Sequence, residues 1–254
     1  MKTILENFQK KIWQKIEKHK FCEINIMQSV LINADSLDYM PTIRDNSIDF
    51  VCIDPPYELD NHGGVVNGHN LTRKLNRDKH INFISNGFNI EKIFSEIERV
   101  SKIMNMICFC SNKQISKIMN YWEQKKYSVT LLVWDKPNPI PFGNGKHISN
   151  LEFMVYVRGK GAIFNNLGVN EQKKTFNYPS PSRSKRLHPT EKPIELLQRL
   201  IKIHTKENDI VLDCFAGSFS TADACNSLNR RCIAIESEKE YYNKGVKRLS
   251  GLLF

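Results

Sequence analysis

Several things are missing from this 254-residue chain, and each absence closes a class of function. No apolar stretch reaches membrane-spanning length, and the N-terminus has no apolar core of signal-peptide type. A cytoplasmic protein with no membrane partner is expected. The seven cysteines form an odd set without one C-x-x-C pair. Cys108 and Cys110 lie inside the apolar run "MICFC", which reads as buried, reduced thiols rather than a disulfide framework or a metal site. His62 and His188 stand alone, with no ligand set around them, so no metal is expected and both are read as polar positioning residues. Internal repeats and long low-complexity tracts are absent too.

What is present is an excess of positive charge. Lys and Arg number 37 against 27 Asp and Glu, for a formal net charge of +10. A positive field raises the association rate with polyanions such as nucleic acid. Hydrophobic residues make up 41% of the chain, enough for a proper core. Residues 3 to 18 place Ile4, Leu5, Phe8, Ile12, Trp13 and Ile16 at helical spacing among lysines. Such a basic amphipathic helix docks on its own domain or, as the less favoured readings, supplies a homodimer or DNA contact.

Further along, strand-like and helix-like stretches alternate: "SIDFVCI", "IEKIFSEIERVSKI", "NMICFC", "KQISKIMNYWEQ", "SVTLLVW". Short apolar runs alternating with helices of about three turns predict a parallel sheet covered on both faces, an α/β doubly wound fold. From Lys136 to Thr190 the pattern loosens into prolines, glycines and the basic run "SPSRSKRLH", which reads as an insertion or surface lobe. It resumes with "PIELLQRLIKIH", "DIVLDCFAGSFSTADACNSL", "RRCIAIE" and a last helix through "EYYNKGVKRL".

In an open parallel sheet, ligands bind beyond the carboxyl ends of the strands, so residues directly after apolar strands deserve scrutiny. Two such points are "CIDPPY" and "VLDCFAGS". In the second, Asp213 ends a strand, Gly217 permits a tight turn, and Glu236 ends the next strand. An acid at that place accepts hydrogen bonds from ribose hydroxyls. A dinucleotide would also need a glycine-rich turn, and "CFAGSFS" offers a single glycine. A nucleoside without phosphates fits better, and S-adenosyl-L-methionine, cationic at sulfur and amine, suits an acidic turn.

The first point carries different chemistry. An exocyclic base amine is a poor nucleophile because its lone pair is delocalised into the ring. Asp54 and the Pro55 carbonyl can each accept one amine hydrogen, which favours a pyramidal nitrogen with its lone pair exposed. The prolines fix φ and so hold both acceptors in place. Tyr57 offers a face on which an extruded base can stack.

"DPPY" at 54 to 57 with "DCFAGS" at 213 to 218 resembles the amino-methyltransferases of DNA, in the β-class order of catalytic motif, target recognition segment, cofactor motif. "INADSLDYM", "LLVWDKPNPIP", "HPTEKP" and "CIAIESEKEYY" extend the likeness over most of the chain. The resemblance implies a Rossmann-like, mostly parallel methyltransferase sheet in one domain over 1–254, with S-adenosyl-L-methionine as cofactor and double-stranded DNA as partner. Asp54, Pro55, Pro56 and Tyr57 would be catalytic. Asp35, Asp213, Phe215, Gly217, Ser218, Glu236, Thr190 and Lys192 would line the cofactor site. The small target-recognition insertion would be 137–190, with Lys173, Lys174, Arg183, Lys185 and Arg186 meeting DNA, and 58–90 would be a catalytic, DNA-contacting loop. One departure is Phe219, where the family often has glycine ("GSFS" for "GSGT"), and it is expected to cap or restrict the pocket.

In that family a leading acid usually goes with adenine N6 and serine with cytosine N4, so adenine is the expected target. Cytosine N4 methylation is the nearer alternative. The more distant one is a DNA-binding module whose methyltransferase site is blocked by Phe219.

Overall fold

The computed structural model describes residues 21–58, 65, 66, 69, 70, 87–139, 141, 147–182, 184 and 186–251. The helix expected over 3–18, most of the 58–90 loop with His62, and Arg183 and Lys185 lie outside the described residues.

Chain order runs β1 (Cys22–Ile26), β2 (Ser29–Asn33), α1 (Ser36–Tyr39), β3 (Phe50–Ile53), β4 (Val65–Val66), β5 (His69–Asn70), α2 (Ile90–Val100), β6 (Asn105–Cys110) and α3 (Ile115–Gln124). It continues β7 (Ser128–Asp135), β8 (Leu151–Arg158), β9 (Thr175–Asn177), α4 (Ile194–His204), β10 (Ile210–Asp213), α5 (Ser220–Ser227), β11 (Arg231–Glu236) and α6 (Lys239–Leu249). One nine-stranded sheet has the order β1-β2-β11-β10-β3-β6-β8-β7-β9, and β4 pairs β5 apart from it. From β2 through β6 neighbours are parallel, β1 and β8 join antiparallel, and β9 runs parallel to β7.

The central strands read as unbroken apolar runs because both faces are covered. Phe50 and Cys52 of β3 pack with Leu196, Leu200, Ala222 and Tyr242 of α4, α5 and α6. Val51 and Ile53 pack on the other face with Ile93, Ile97, Ile118 and Trp122 of α2 and α3. Alternate residues thus serve opposite layers, as the period of two in a strand requires.

Residues 137–190 are not wholly an excursion from this sheet. "LEFMVYVR" is β8, an inner strand between β6 and β7, and Thr175–Asn177 adds β9 at the edge. The loose spacing of prolines and glycines around β8 hid a strand whose buried residues belong to the core.

The chain leaves β3 toward β6 on one side and leaves β10 toward β11 on the other, while β3 and β10 are themselves paired. Their carboxyl ends therefore meet at the topological switch point, where open α/β sheets form their crevice. Among the described residues no helix is long and apolar enough to cross a membrane.

Candidate active site

A cavity opens at that switch point. Its walls include Asp35 and Leu37 at the start of α1, Asp54 to Tyr57 after β3, Phe88, His188 and Thr190 to Lys192 before α4, Asp213 to Ser218 at the end of β10 and after it, and Ile235 to Glu238 at the end of β11 and after it. All four residues expected to be catalytic and all eight expected to line a cofactor site are on this wall.

The β3 end is a charge network. Row Phe50–Cys52–Asp54 lies on one face of the sheet, and the first two residues are core. Asp54 Oδ2 meets Lys192 Nζ at 2.5 Å and Oδ1 accepts the Tyr57 hydroxyl at 2.8 Å. Lys192, 5% exposed, also reaches Glu152 Oε1 at 2.8 Å, and its third hydrogen points to the Thr190 carbonyl at 3.3 Å. Lys136 pairs with Glu152 Oε2 at 2.7 Å, and the Tyr57 hydroxyl lies 2.5 Å from Glu152 Oε1. Two lysines and two acids cancel, and the Lys192 ammonium sits over the rings of Tyr57 and Phe109, 5.3 and 5.0 Å from their centroids. The Pro-Pro kink is held from below, where buried Gln114 donates Nε2–H to the Pro56 carbonyl at 3.0 Å.

Shared charge sorts the two acids. Burial pushes Glu152 up, but Lys192 and Lys136 together outweigh it and bring its pKa to about 2. Burial raises Asp54 more than its half-share of Lys192 lowers it, with the Glu152 charge adding to the rise. Lys192 loses hydration on burial yet is held above its ordinary value by the two carboxylates.

The β10 end has no such cancellation. Asp213 is buried and accepts the Phe215 N–H at 3.0 Å, and burial pushes its pKa to about 7. Glu236 accepts the N–H groups of Gly217 and Glu238, each at 2.7 Å, and burial likewise carries it to about 7. Among the described residues neither carboxylate is in an ion pair. Gly217 sits at φ +53°, and a side chain there would press a Cβ to 3.3 Å from the His188 ring. Close approach and backbone sign both require glycine at this turn.

The wall before α4 is pinned to the turn after β10. Glu191 Oε1 pairs with Arg248 Nη2 at 2.5 Å, and Oε2 accepts the Leu187 N–H and the Ser218 hydroxyl at 2.9 and 3.1 Å. Arg248 in turn donates to the Ser218 carbonyl and the Ser220 hydroxyl. His188 packs edge-on to Tyr241 with 4.2 Å between centroids, and burial lowers its pKa to about 4, so it stays neutral at pH 7.

Phe219 does not cap the cavity. It takes φ +63° at the cap of α5, and this turn swings its ring away from the cavity and into the core, fully buried, against Tyr242 and over Gly245. A Cβ on Gly245 would lie 2.2 Å from the ring, so the helix keeps a notch for it. The blocked-pocket reading fails for that reason.

The expected DNA contacts are split. Lys173 and Lys174 are exposed just before β9, at the sheet edge. They stand four strands from β3, roughly 19 Å by strand spacing. Arg186 spends two N–H groups on its own loop, at the Pro181 and Pro189 carbonyls. At the stems of the 58–90 loop, Glu58 lies against Gly87 and pairs with Lys117 at 2.6 Å, so the two ends of that loop meet beside the cavity. Asp35 caps α1 through the Leu37 N–H at 2.8 Å. All seven cysteines are free, and no cluster of three or more metal-ligating side chains occurs among the described residues.

Glu152, Lys136 and Glu191 escaped the sequence reading. The signal for Glu152 was parity: in "LEFMVYVR" it shares a face with Met154 and Tyr156, both core residues, so a carboxylate was being carried inward.

Known proteins align with this chain at length. It is 28% identical over 236 residues to the type II methyltransferase M2.MboI of Moraxella bovis, covering 86% of each protein. To M.HinfI of Haemophilus influenzae it is 27% identical, covering 89% of this chain and 69% of that one. The crystal structure of the M1.HpyAVI–SAM complex superposes with a TM-score of 0.66 at 30% identity, over 86% of this chain and 98% of the other. PvuII DNA methyltransferase, cytosine-N4-specific, shares the fold at a TM-score of 0.68 and 14% identity, over 88% and 87%. Residues 48–247 match the DNA methylase family of N6 and N4 methyltransferases, a span that holds both strand ends and the wall between them, and the chain belongs to that family.

Proposed function

We propose that this DNA methyltransferase acts on the N6 amine of an adenine turned out of the duplex, with Asp54 as the group that activates the amine. S-adenosyl-L-methionine supplies the methyl group as the electrophile of the family's reaction. The cavity suits it: Glu236 keeps lone pairs for ribose hydroxyls, Asp35, Phe215 and Ile235 offer an edge and faces for an adenine ring, and Asp213 is a buried acid that a cation would relieve. M1.HpyAVI, 30% identical, was crystallised with this same molecule.

The observation that carries the reading is the neutralised network at the β3 end. Asp54 is held beside the cavity by Lys192 and Tyr57, with lone pairs left on both oxygens for an amine hydrogen. A base amine is neutral, so an acceptor whose own charge is already balanced meets it without a desolvation conflict. As positive charge develops on nitrogen, the preorganised carboxylate stabilises it and takes the proton that must leave. Tyr57 gives an extruded base its face. Lys173 and Lys174, exposed at the β9 edge, supply phosphate contacts, with Arg183 and Lys185 of the same segment as further candidates by sequence. Cytosine N4 differs from adenine N6 in the ring that carries the same kind of amine, and a leading acid at position 54 favours adenine.

The test is to incubate the protein with labelled cofactor and unmethylated double-stranded DNA, digest the DNA to nucleosides and identify the labelled one. N6-methyladenine is expected. N4-methylcytosine alone would overturn the adenine assignment.

A further inference from the structure

Glu152 is a half-buried carboxylate behind this cavity, outside both strand-end motifs. It contributes no wall to the cavity and faces Lys136, Lys192 and the Tyr57 hydroxyl instead of a ligand. Its side chain is 13% exposed and shares Lys192 with Asp54 through a single ammonium whose three hydrogens are all used.

We propose that Glu152 is a positioning residue for methyl transfer: it is the permanent counter-ion of Lys192, and it lets Asp54 change charge during turnover without stranding a buried cation. This rests on Asp54 being the amine-activating acid.

The reason is a charge count before and after proton transfer. As the bond from nitrogen to the methyl carbon forms, the bond from that carbon to the sulfonium breaks with its electron pair left on sulfur, the nitrogen sheds one proton, and Asp54 takes it. At that moment Asp54 becomes neutral and Lys192 loses half of its compensation. An ammonium buried at 5% exposure cannot be left unpaired, because several kcal/mol of lost hydration go uncompensated in the interior. Glu152 is still there at 2.8 Å, kept ionised by Lys136 on its other oxygen. The same carboxylate works before the step too. It draws the ammonium partly away from Asp54, so that Asp54 keeps the basicity needed to take a proton.

Among the described residues, the charged or titratable groups that enter this balance are Tyr57 on its own loop, Lys192 before α4, Glu152 on β8 with Lys136 behind it, Asp213 on β10, and the buried thiols of Cys52, Cys108 and Cys110. The thiols are pushed above their ordinary range by burial and stay neutral near pH 7. Asp213 is common to every variant below, so changes trace to Glu152 and its lysines.

Glu152→Gln is the test, with Glu152→Asp and Lys136→Met beside it. The first readout needs neither cofactor nor turnover: the titration of Asp54 in the free protein by carboxyl carbon NMR, with its resonance identified by its loss in Asp54→Asn. In Glu152→Gln a negative neighbour is gone and Lys192 belongs to Asp54 alone, so Asp54 titrates at lower pH than in the wild type. Lys136→Met removes a cation instead and moves the titration to higher pH, which keeps the test alive if Glu152→Gln does not fold. For turnover, Glu152→Gln lowers kcat by about a hundredfold with the acid limb of the pH profile displaced downward. Cofactor affinity by calorimetry changes less than about twofold, as expected of a group outside the cofactor wall. Glu152→Asp returns the acid limb toward the wild-type position. An Asp54 titration that stays put in Glu152→Gln and Lys136→Met, or a loss of cofactor affinity as large as the loss of kcat, would overturn the proposal. Failure of the underlying reading looks different: Asp54→Asn would itself keep transferring methyl groups, and the positioning role would fall with it.

Discussion

At the end of β3, Asp54 and Glu152 face Lys192 and Lys136, and four charges balance in place. One strand away, at the end of β10, Asp213 has the Phe215 N–H and Thr221 for partners, and Glu236 has two backbone N–H groups. Asp213 and Glu236 are buried and Asp54 is half-buried; the sheet brings these three to one cavity, with Glu152 behind it on Lys192. The difference is whether the protein supplies the cation. At β3 it does, so the acid is prepared for a neutral partner. At β10 it does not, and both acids rise toward neutral pH, a state that a cationic ligand relieves. On the function proposed above, a base amine meets the first site and the cationic cofactor the second.

This contrast can be broken most severely at β3. Asp54→Ala should lower methyl transfer by about 10² to 10³, the usual loss on removing one preorganised polar group at a reacting centre. Asp54→Asn should be nearly as impaired, because the amide keeps the shape without the charge or the basicity. Rates are measured at saturating cofactor and DNA. Wild-type turnover in either variant would remove Asp54 from the chemistry.

A middling effect sharpens the contrast at β10. With Asp213 and Glu236 near pKa 7 in the free protein, a bound cation near Asp213 and ribose hydroxyls donating to Glu236 each favour the ionised form and lower both values. Binding should therefore release protons at about pH 6, and affinity should climb several-fold toward about pH 8 and then level. Calorimetry in buffers of different ionisation enthalpy counts the protons. The sign follows from the raised values, since an acid that is protonated in the free site must lose its proton to meet a cation. Uptake of protons, or affinity independent of pH across this range, would mean that these acids do not meet the cofactor in their ionised forms.

The smallest expected effect on the ligand comes from Phe219. A left-handed backbone costs a non-glycine residue roughly 1 to 2 kcal/mol, so Phe219→Gly relieves strain. Emptying the notch beside Gly245 costs more, about 3 to 5 kcal/mol for a buried phenylalanine. Net destabilisation of about 1 to 4 kcal/mol in denaturant unfolding is expected from that difference. Cofactor affinity measured on the folded protein should change less than about twofold, since the ring lines no part of the cavity. A large gain in affinity would mean that the ring does obstruct the site.

Much of this was readable beforehand, for a physical reason. Parallel strands buried on both faces appear as apolar runs, and an acid directly after such a run, as at Asp54, Asp213 and Glu236, marks the crevice edge of the sheet. Glu152 was not readable in that way because β8 runs antiparallel, which puts its first residues at the same edge. Lys192 was expected near the cofactor, and only three-dimensional packing shows its ammonium on Asp54. β1 and β2 went unread because β1 is an edge hairpin strand with alternating exposure rather than an apolar run. Phe219 misled because its direction depends on the sign of φ and on a glycine far along the chain, neither of which a local motif reports.

The division of labour between the two strand ends is tested most directly by the affinity of S-adenosyl-L-methionine for Asp54→Ala and Glu236→Ala, measured side by side by titration calorimetry. Asp54→Ala should bind within about threefold of the wild type. Glu236→Ala should lose one or two charge-assisted hydrogen bonds to ribose, about 1.5 to 3 kcal/mol each, and so bind at least about tenfold more weakly. Weakened binding in Asp54→Ala together with wild-type binding in Glu236→Ala would contradict the account.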